Sequence, residues 1–335
     1  MHILVTGHTG FKGAWLTFLL KELGHSVSGL ALPARETSIY ANSTLSRFLS
    51  HELLADVRNF ESVYSFTQKT SPDAIIHLAA QPLVRTSYHD PITTYETNVN
   101  GTLNILQASV LLNIKKTLII TTDKVYSDEA QTSGYSENDN LGGFDPYSNS
   151  KALADLLTQS FIQRQKGQHF GIARAGNVVG GGDDGMERLL PDLLKAVRQG
   201  EAVTLRNPNA IRPWQYVLDC LNGYLEALSK IDQVDFPVWN FGPEKHYSVQ
   251  TFSEKFISVQ ETHVPIEYSL TQDPLKETDL LVLNSSKARR ELNWRPKLNI
   301  DETVNAITEW TRDSEQYDFE RATISQVQKY LDISQ

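Results

Sequence analysis

The first thirteen residues constrain this chain most. Met1-His-Ile-Leu-Val-Thr6 is a short apolar run, and it ends at Gly7-His-Thr-Gly10-Phe-Lys-Gly13. An apolar, amphipathic stretch follows from Ala14 to Leu23. The pattern predicts a strand, a glycine turn and a helix. Gly7 permits the tight turn, Gly10 the close approach of a pyrophosphate, and Gly13 the packing of helix on strand. Phosphates then sit at the helix N-terminus, where unpaired N–H groups point outward. Gly7, Thr9, Gly10, Phe11, Lys12 and Gly13 are therefore the first candidate cofactor contacts.

Short apolar runs alternate with helical stretches further along. Strands are expected at Ile3–Thr6, Ser26–Ala31, Ala74–Leu78, Thr117–Thr121, Gly171–Ala175 and Val238–Phe241. Helices are expected at Lys12–Leu23, Val57–Lys69, Pro91–Leu112, Tyr147–Gln165, Arg188–Arg198 and Val217–Lys230. Alternation of this kind implies an α/β fold, a Rossmann-type doubly wound parallel sheet covered on both faces. Residues 1–176 read as the dinucleotide-binding domain. After Asn177 the pattern becomes irregular, with Gly180-Gly-Gly182 and several prolines. Residues 177–335 read as a smaller substrate-binding lobe, mainly 177–211 and 244–335, interleaved because 212–243 returns to the sheet. From Thr323 the chain is polar and is expected to be loosely attached.

The second strand bears on cofactor choice. A NAD-binding fold usually places an acid at its end to hold the ribose 2′-hydroxyl. Here the strand runs into Gly29-Leu-Ala-Leu-Pro33 without one, and Arg35 follows. That leans locally toward NADP or weak discrimination; a loop arginine without a role is equally consistent. Asp56 and Val57 stand where such folds hold the adenine. Leu78-Ala-Ala-Gln81 ends the strand that must pass close to the cofactor.

Tyr147-Ser-Asn-Ser-Lys151 puts a phenol and an ammonium on one helix face. A neighbouring ammonium favours phenolate, so Tyr147 is expected to titrate below its reference value near 10. Such a tyrosine takes the proton from a substrate hydroxyl as hydride leaves the same carbon. Thr121-Thr122-Asp123-Lys124 adds an acid and a second amine. Simple alcohol oxidation needs neither, so a further proton-transfer step is implied.

With 335 residues, one to two domains and a large core are expected. A net charge of −9 and the lack of a long basic cluster argue against nucleic acid. No apolar run approaches the ~20 residues of a membrane span, and no charged-then-apolar leader is visible. Cys220 is the only cysteine, which excludes an internal disulfide and fits a reducing cytoplasm. The scattered histidines and the Asp183-Asp184 pair lack metal-ligand spacing, so no metal is expected.

The chain resembles the extended short-chain dehydrogenase/reductases, and within them the nucleotide-sugar dehydratases that act on CDP-glucose. The resemblance rests on Thr6–Gly13, His77–Arg85, Thr97-Asn98-Val-Asn-Gly-Thr102, Thr121–Lys124, Gly142–Tyr147 with Lys151, Arg174–Gly182 and Ala210–Gln215. It implies that Tyr147 takes the 4-hydroxyl proton while C4 is oxidised. The new ketone acidifies the C5 proton, a base removes it, and an acid protonates the departing 6-hydroxyl. Hydride return to C6 gives a 4-keto-6-deoxy sugar, with NAD as a recycled, bound cofactor. It implies a hydrogen bond from Thr122 to the 4-hydroxyl and Asp123 as the acid. Lys124 is either the C5 base or the electrostatic partner of Asp123. Asn98 joins Leu78, Ala79, Ala80 and Gln81 as cofactor contacts. Gln81, Arg85, Asn177, Arg188, Arg206, Arg212 and Asn240 are the candidate substrate contacts. Deoxysugar biosynthesis for lipopolysaccharide O-antigen, and a homodimer through Pro91–Leu112 and the Tyr147 helix, are further implications. A nucleotide-sugar epimerase or reductase on the same fold is the main alternative, though it has no use for Asp123 and Lys124. A non-catalytic dinucleotide sensor has no use for the Tyr147–Lys151 pair either.

Overall fold

The computed structural model describes residues 1–127, 132–164, 167–186, 188–269 and 278–333. Part of the Ser127–Tyr135 segment and the end of the Tyr147–Gln165 helix lie outside them. Seven strands form one sheet: β1 (His2–Thr6), β2 (Ser26–Ala31), β3 (Leu49–Leu54), β4 (Ala74–His77), β5 (Lys116–Ile120), β6 (His169–Ala175) and β7 (Val238–Phe241). Their order is β7-β6-β5-β4-β1-β2-β3, and every pairing is parallel. The order reverses between β1 and β4, which is where ligands bind in such sheets.

Six strands follow the expected apolar runs within two residues. β3 was not expected. It is an edge strand whose residues Ser50, His51 and Glu52 are exposed, so it carries no continuous apolar signal.

Helix α1 (Phe11–Glu22) buries most of its circumference, from Phe11 through Leu20 except Lys12. One side meets the sheet. Another meets α8 (Val217–Lys230) and α12 (Phe319–Asp332). The end of the chain is therefore not loosely attached, as its polar composition suggested. Ala322, Val327 and Tyr330 enter the same core as Trp15 and Trp310. Tyr330 Oη donates to Asp219 Oδ1 at 2.8 Å. α12 belongs with this first core, and so do α8 and β7.

A second core unites α7 (Leu189–Gln199), α9 (Val249–Ser258) and the first half of α11 (Ile300–Gln316) through Leu193, Trp214, Phe252, Phe256 and Ile307. The expected Pro91–Leu112 helix is interrupted. α4 (Pro91–Tyr95) passes into a π turn at Glu96–Asn100 before α5 (Gly101–Leu111). A further short helix, α3 (Val84–His89), precedes it. α2 (Phe60–Thr70) and α6 (Pro146–Arg164) complete the layer on that face of the sheet. Among the described residues no helix is long and apolar enough to cross a membrane.

Candidate active site

The glycine turn is built by backbone contact. Gly7 has φ +75°, and a Cβ there would lie 2.9 Å from the Ala79 nitrogen. A Cβ on Gly13 would lie 2.1 Å from Gly7 O. A Cβ on Gly10 would come no closer than 3.4 Å to the surrounding protein, so packing there admits a larger residue, and the glycine leaves the turn open to a group approaching from outside. No side chain caps α1, and no acid stands in its first turn. Its first N–H groups and the positive end of its dipole are left to meet an anion. The turn thus fits the pyrophosphate of a dinucleotide. Thr9 Oγ1 donates to Leu32 O at 2.9 Å and ties the turn to the end of β2. Lys12 turns inward and donates to Tyr224 Oη at 3.2 Å, and burial lowers its pKa.

The segment after β4 is held from two sides. Thr6 Oγ1 and His77 Nδ1 lie 2.7 Å apart, and Ala79 N donates to Thr6 Oγ1. Burial lowers the His77 pKa to about 3, so its ring is neutral. Asn98, in the π turn, accepts from Gln81 N and donates to Gln81 O and Ser150 Oγ. The Gln81 side chain bonds Leu83 N, Leu83 O and Thr94 Oγ1. Asn98 and the Gln81 side chain shape the loop through Leu78, Ala79 and Ala80. Asp56 is engaged by Arg58, and Val57 packs against Gly101.

The exit of β5 carries Thr122, Asp123 and Lys124, and α6 carries Tyr147 and Lys151. Asp123 is 2% exposed. Its Oδ1 accepts from Thr122 Oγ1 at 2.9 Å, and its Oδ2 has no protein partner among the described residues. Burial raises its pKa against the opposing pull of the Lys124 ammonium, the Thr122 bond and Arg212. Burial thus favours its neutral form over the carboxylate. Asp123 and Lys124 line a cavity with Tyr126, Tyr135 and Ser148.

Tyr147 departs from expectation. Burial pushes its pKa up to about 12, and the Thr122 hydrogen bond only partly opposes this. Burial also brings Lys151 down to about 7, with the charge of Lys12 adding to the effect. Lys151 Nζ donates to Ile120 O at 2.8 Å. The charge that was to hold a phenolate is thus itself half lost at neutral pH. Desolvation is the largest influence on both members of the pair.

The expected substrate residues separate. Arg212 is buried and close enough to Asp123 to lower its pKa. Arg188 pairs with Asp183 at 3.1 Å, and its charge reaches Tyr147. Asn177 and Arg85 are half-buried, on the loop after β6 and on α3. Arg206 is exposed after Leu205. Asn240 lies within β7, fully buried: its Oδ1 accepts from Tyr126 Oη at 2.6 Å, and its Nδ2 donates to Tyr135 O. Its side chain is committed to partners inside the protein. Among the described residues no group of three His, Cys, Asp or Glu side chains could hold a metal; Asp184 bonds Arg35 and Thr37.

Two groups escaped the sequence reasoning. Tyr126 lines the cavity, and Asp155 continues the Tyr147, Lys151 spacing by one more turn. The repeated four-residue step was the available signal.

A glycine turn on the first of a parallel series of strands, with a tyrosine–lysine helix beside it, defines a dinucleotide-dependent short-chain dehydrogenase/reductase fold. A family model described as GDP-mannose 4,6 dehydratase matches residues 4–307, and the chain belongs to that family. It is 38% identical over 322 residues to the CDP-glucose 4,6-dehydratase of Salmonella typhimurium, across 92% of this chain and 89% of that one. It is 26% identical over 340 residues to the CDP-paratose 2-epimerase of Salmonella typhi, across 93% and 99%. A solved dTDP-glucose 4,6-dehydratase of Bacillus anthracis in complex with NAD superposes with a TM-score of 0.80 at 20% identity, across 96% of this chain and 99% of that one. That likeness concerns the fold.

Proposed function

We propose that the protein converts CDP-glucose to CDP-4-keto-6-deoxyglucose and water. The observation that carries this is the enclosed Asp123, its pKa raised by burial and its Oδ2 without a hydrogen-bond partner among the described residues beside Thr122. An epimerase or reductase needs no such acid. The cytidine preference rests on the 38% identical relative. Bound NAD would accept the C4 hydride, return it to C6, and bring the positive charge against which Tyr147 ionises. Tyr147 removes the 4-hydroxyl proton, and Thr122 holds that hydroxyl. A base removes the C5 proton, and Lys124, on the same cavity as Asp123, stands as that base or as the electrostatic partner of Asp123. Asp123 gives its proton to the departing 6-hydroxyl, which leaves as water. The proton held by the base then returns to Asp123 and restores both groups. We favour NAD over NADP because Arg35, the residue able to meet a 2′-phosphate, is already bound by Asp184.

The test is purified protein with CDP-glucose, dTDP-glucose or GDP-mannose and either catalytic NAD or NADP. Loss of one water, read by mass, is expected from CDP-glucose with NAD. Tyr147→Phe should lower that rate by about 10²–10⁴-fold. An epimerised product without loss of water would overturn the proposal.

We also propose a homodimer. Ile92 on α4, Leu103 on α5, and Leu153 and Leu156 on α6 are exposed. Pro91, Tyr95, Val99 and Leu153 line an apolar groove between these helices. An apolar face of this kind marks an interface. Light scattering at micromolar concentration should give twice the chain mass; a monodisperse monomer would refute this.

A further inference from the structure

A fully buried charge pair is tied to the strand end that leads into the candidate acid. Asp155 and Arg174 are both 0% exposed. Arg174 donates from Nη2 to Asp155 Oδ1 and from Nε to Asp155 Oδ2, each at 2.8 Å. A buried ion pair of this kind adds little net stability, because desolvation offsets most of its attraction. Well-packed apolar residues would serve the core as well. What the pair supplies is therefore sought in its remaining contacts.

Gln159 Nε2 donates to Asp155 Oδ1, and Arg174 Nη1 donates to Glu137 O; the others bracket one segment. Asp155 Oδ2 also accepts from Thr121 Oγ1 at 2.9 Å. Arg174 Nη1 donates to Tyr126 Oη at 2.8 Å, and Tyr126 Oη in turn donates to Asn240 Oδ1 at 2.6 Å. Thr121 and Tyr126 stand at the two ends of Thr122-Asp123-Lys124-Val125. Both anchors are buried. Each side chain of this network is hydrogen-bonded, and such buried networks rigidify their members.

The helix that offers the phenol also holds this clamp. Tyr147, Lys151 and Asp155 follow at four-residue steps and share one face of α6. Lys151 Nζ grips Ile120 O at 2.8 Å, just before Thr121. One helix face thus fixes the end of β5 twice, by the Lys151 amine and by the Asp155 carboxylate.

We infer that Asp155 and Arg174 are positioning residues that hold both ends of the Thr122–Val125 segment and so set Asp123 and Lys124 relative to Tyr147. This rests on the dehydratase reading for its consequence in turnover, but not for the clamp itself. The effect is large because a misplacement of about 1 Å can cost about 10²-fold in rate.

Asp155→Asn breaks the ion pair and risks the fold, so the test detaches the anchors instead. Thr121→Val removes one hydroxyl from the clamp and keeps the shape of the side chain. Tyr126→Phe removes the other. Thr121→Ser retains the bond. kcat and KM are measured with CDP-glucose, together with amide hydrogen exchange at residues 122–126 and the melting temperature. We expect Thr121→Val and Tyr126→Phe each to lower kcat by about tenfold or more, a fraction of the 1 Å penalty. KM should stay within about twofold, and exchange across 122–126 should become faster in protein that is still folded. Thr121→Ser should restore both. Unchanged exchange, faster exchange with full kcat, or a serine variant as slow as valine would each overturn the inference. If the wild-type protein removes water from no nucleotide sugar, the functional reading fails, and the exchange data alone decide whether the clamp exists.

Discussion

Replacing Asp123 with asparagine is expected to lower dehydration by about 10²–10⁴-fold and to raise the melting temperature at neutral pH. Asparagine keeps the bond from Thr122 Oγ1, because its Oδ1 accepts like the carboxylate oxygen. It has no proton to give to a departing hydroxyl. The stability gain follows from the direction of the Asp123 pKa shift. Its folded value is raised, chiefly by burial. Below the unfolded value near 3.9, both the folded and the unfolded chain hold the proton, and the group has no effect on the balance. As pH rises, the unfolded chain ionises first. The folded state then loses stability until the pH passes the folded value. A side chain that cannot ionise escapes that loss. The melting temperatures of the two proteins should coincide near pH 3 and diverge above it, with the variant higher. Retained turnover, or a variant less stable at pH 7, would remove Asp123 from the role of acid.

The same burial explains what the sequence could and could not convey. Six of the strands were legible because parallel strands buried on both faces read as continuous apolar runs. β3 was not, because an edge strand with Ser50, His51 and Glu52 outward lacks that run. α12 was misjudged for a related reason. Its polar residues are real, but Ala322, Val327 and Tyr330 form a narrow stripe directed at α1. The break at Glu96–Asn100 left no sequence signal either. Gly101, just beyond it, is required by the closeness of Val57, which an added Cβ would approach to 2.8 Å.

The site residues divide along the same line. Spacing conveyed that Tyr147 and Lys151 share a helix face, and the strand pattern conveyed that Thr122, Asp123 and Lys124 leave the sheet together. Neither conveyed how much water the site excludes. That quantity is a property of the closed fold, and it raises the pKa of Tyr147, lowers that of Lys151 and raises that of Asp123. Asn240 shows the converse. Residue type made it a plausible phosphate donor, while its place within β7 commits it to Tyr126 and Tyr135.

Gly13→Ala is expected to destabilise the protein, whereas Gly10→Ala is expected to leave it stable and unable to hold its cofactor. Within a helix, glycine to alanine ordinarily gains about 1 kcal/mol. At position 13 the new methyl would lie 2.1 Å from Gly7 O and 2.7 Å from both Gly7 C and His8 Cα. All three are backbone atoms, and Gly7 is itself fixed by its N–H bond to Leu30 O and by Ala79 behind it. Overpacking a tight site costs about 1–3 kcal/mol, which outweighs the helical gain. At position 10 the methyl meets no protein atom closer than 3.4 Å. It would project where the first N–H groups of α1 open outward, and so occupy the approach of the pyrophosphate. Thermal melts and NAD titrations on both variants separate the two glycines. A Gly10→Ala protein that binds NAD as tightly as the wild type would show that the turn is only a packing device, and the dinucleotide would have to be held elsewhere.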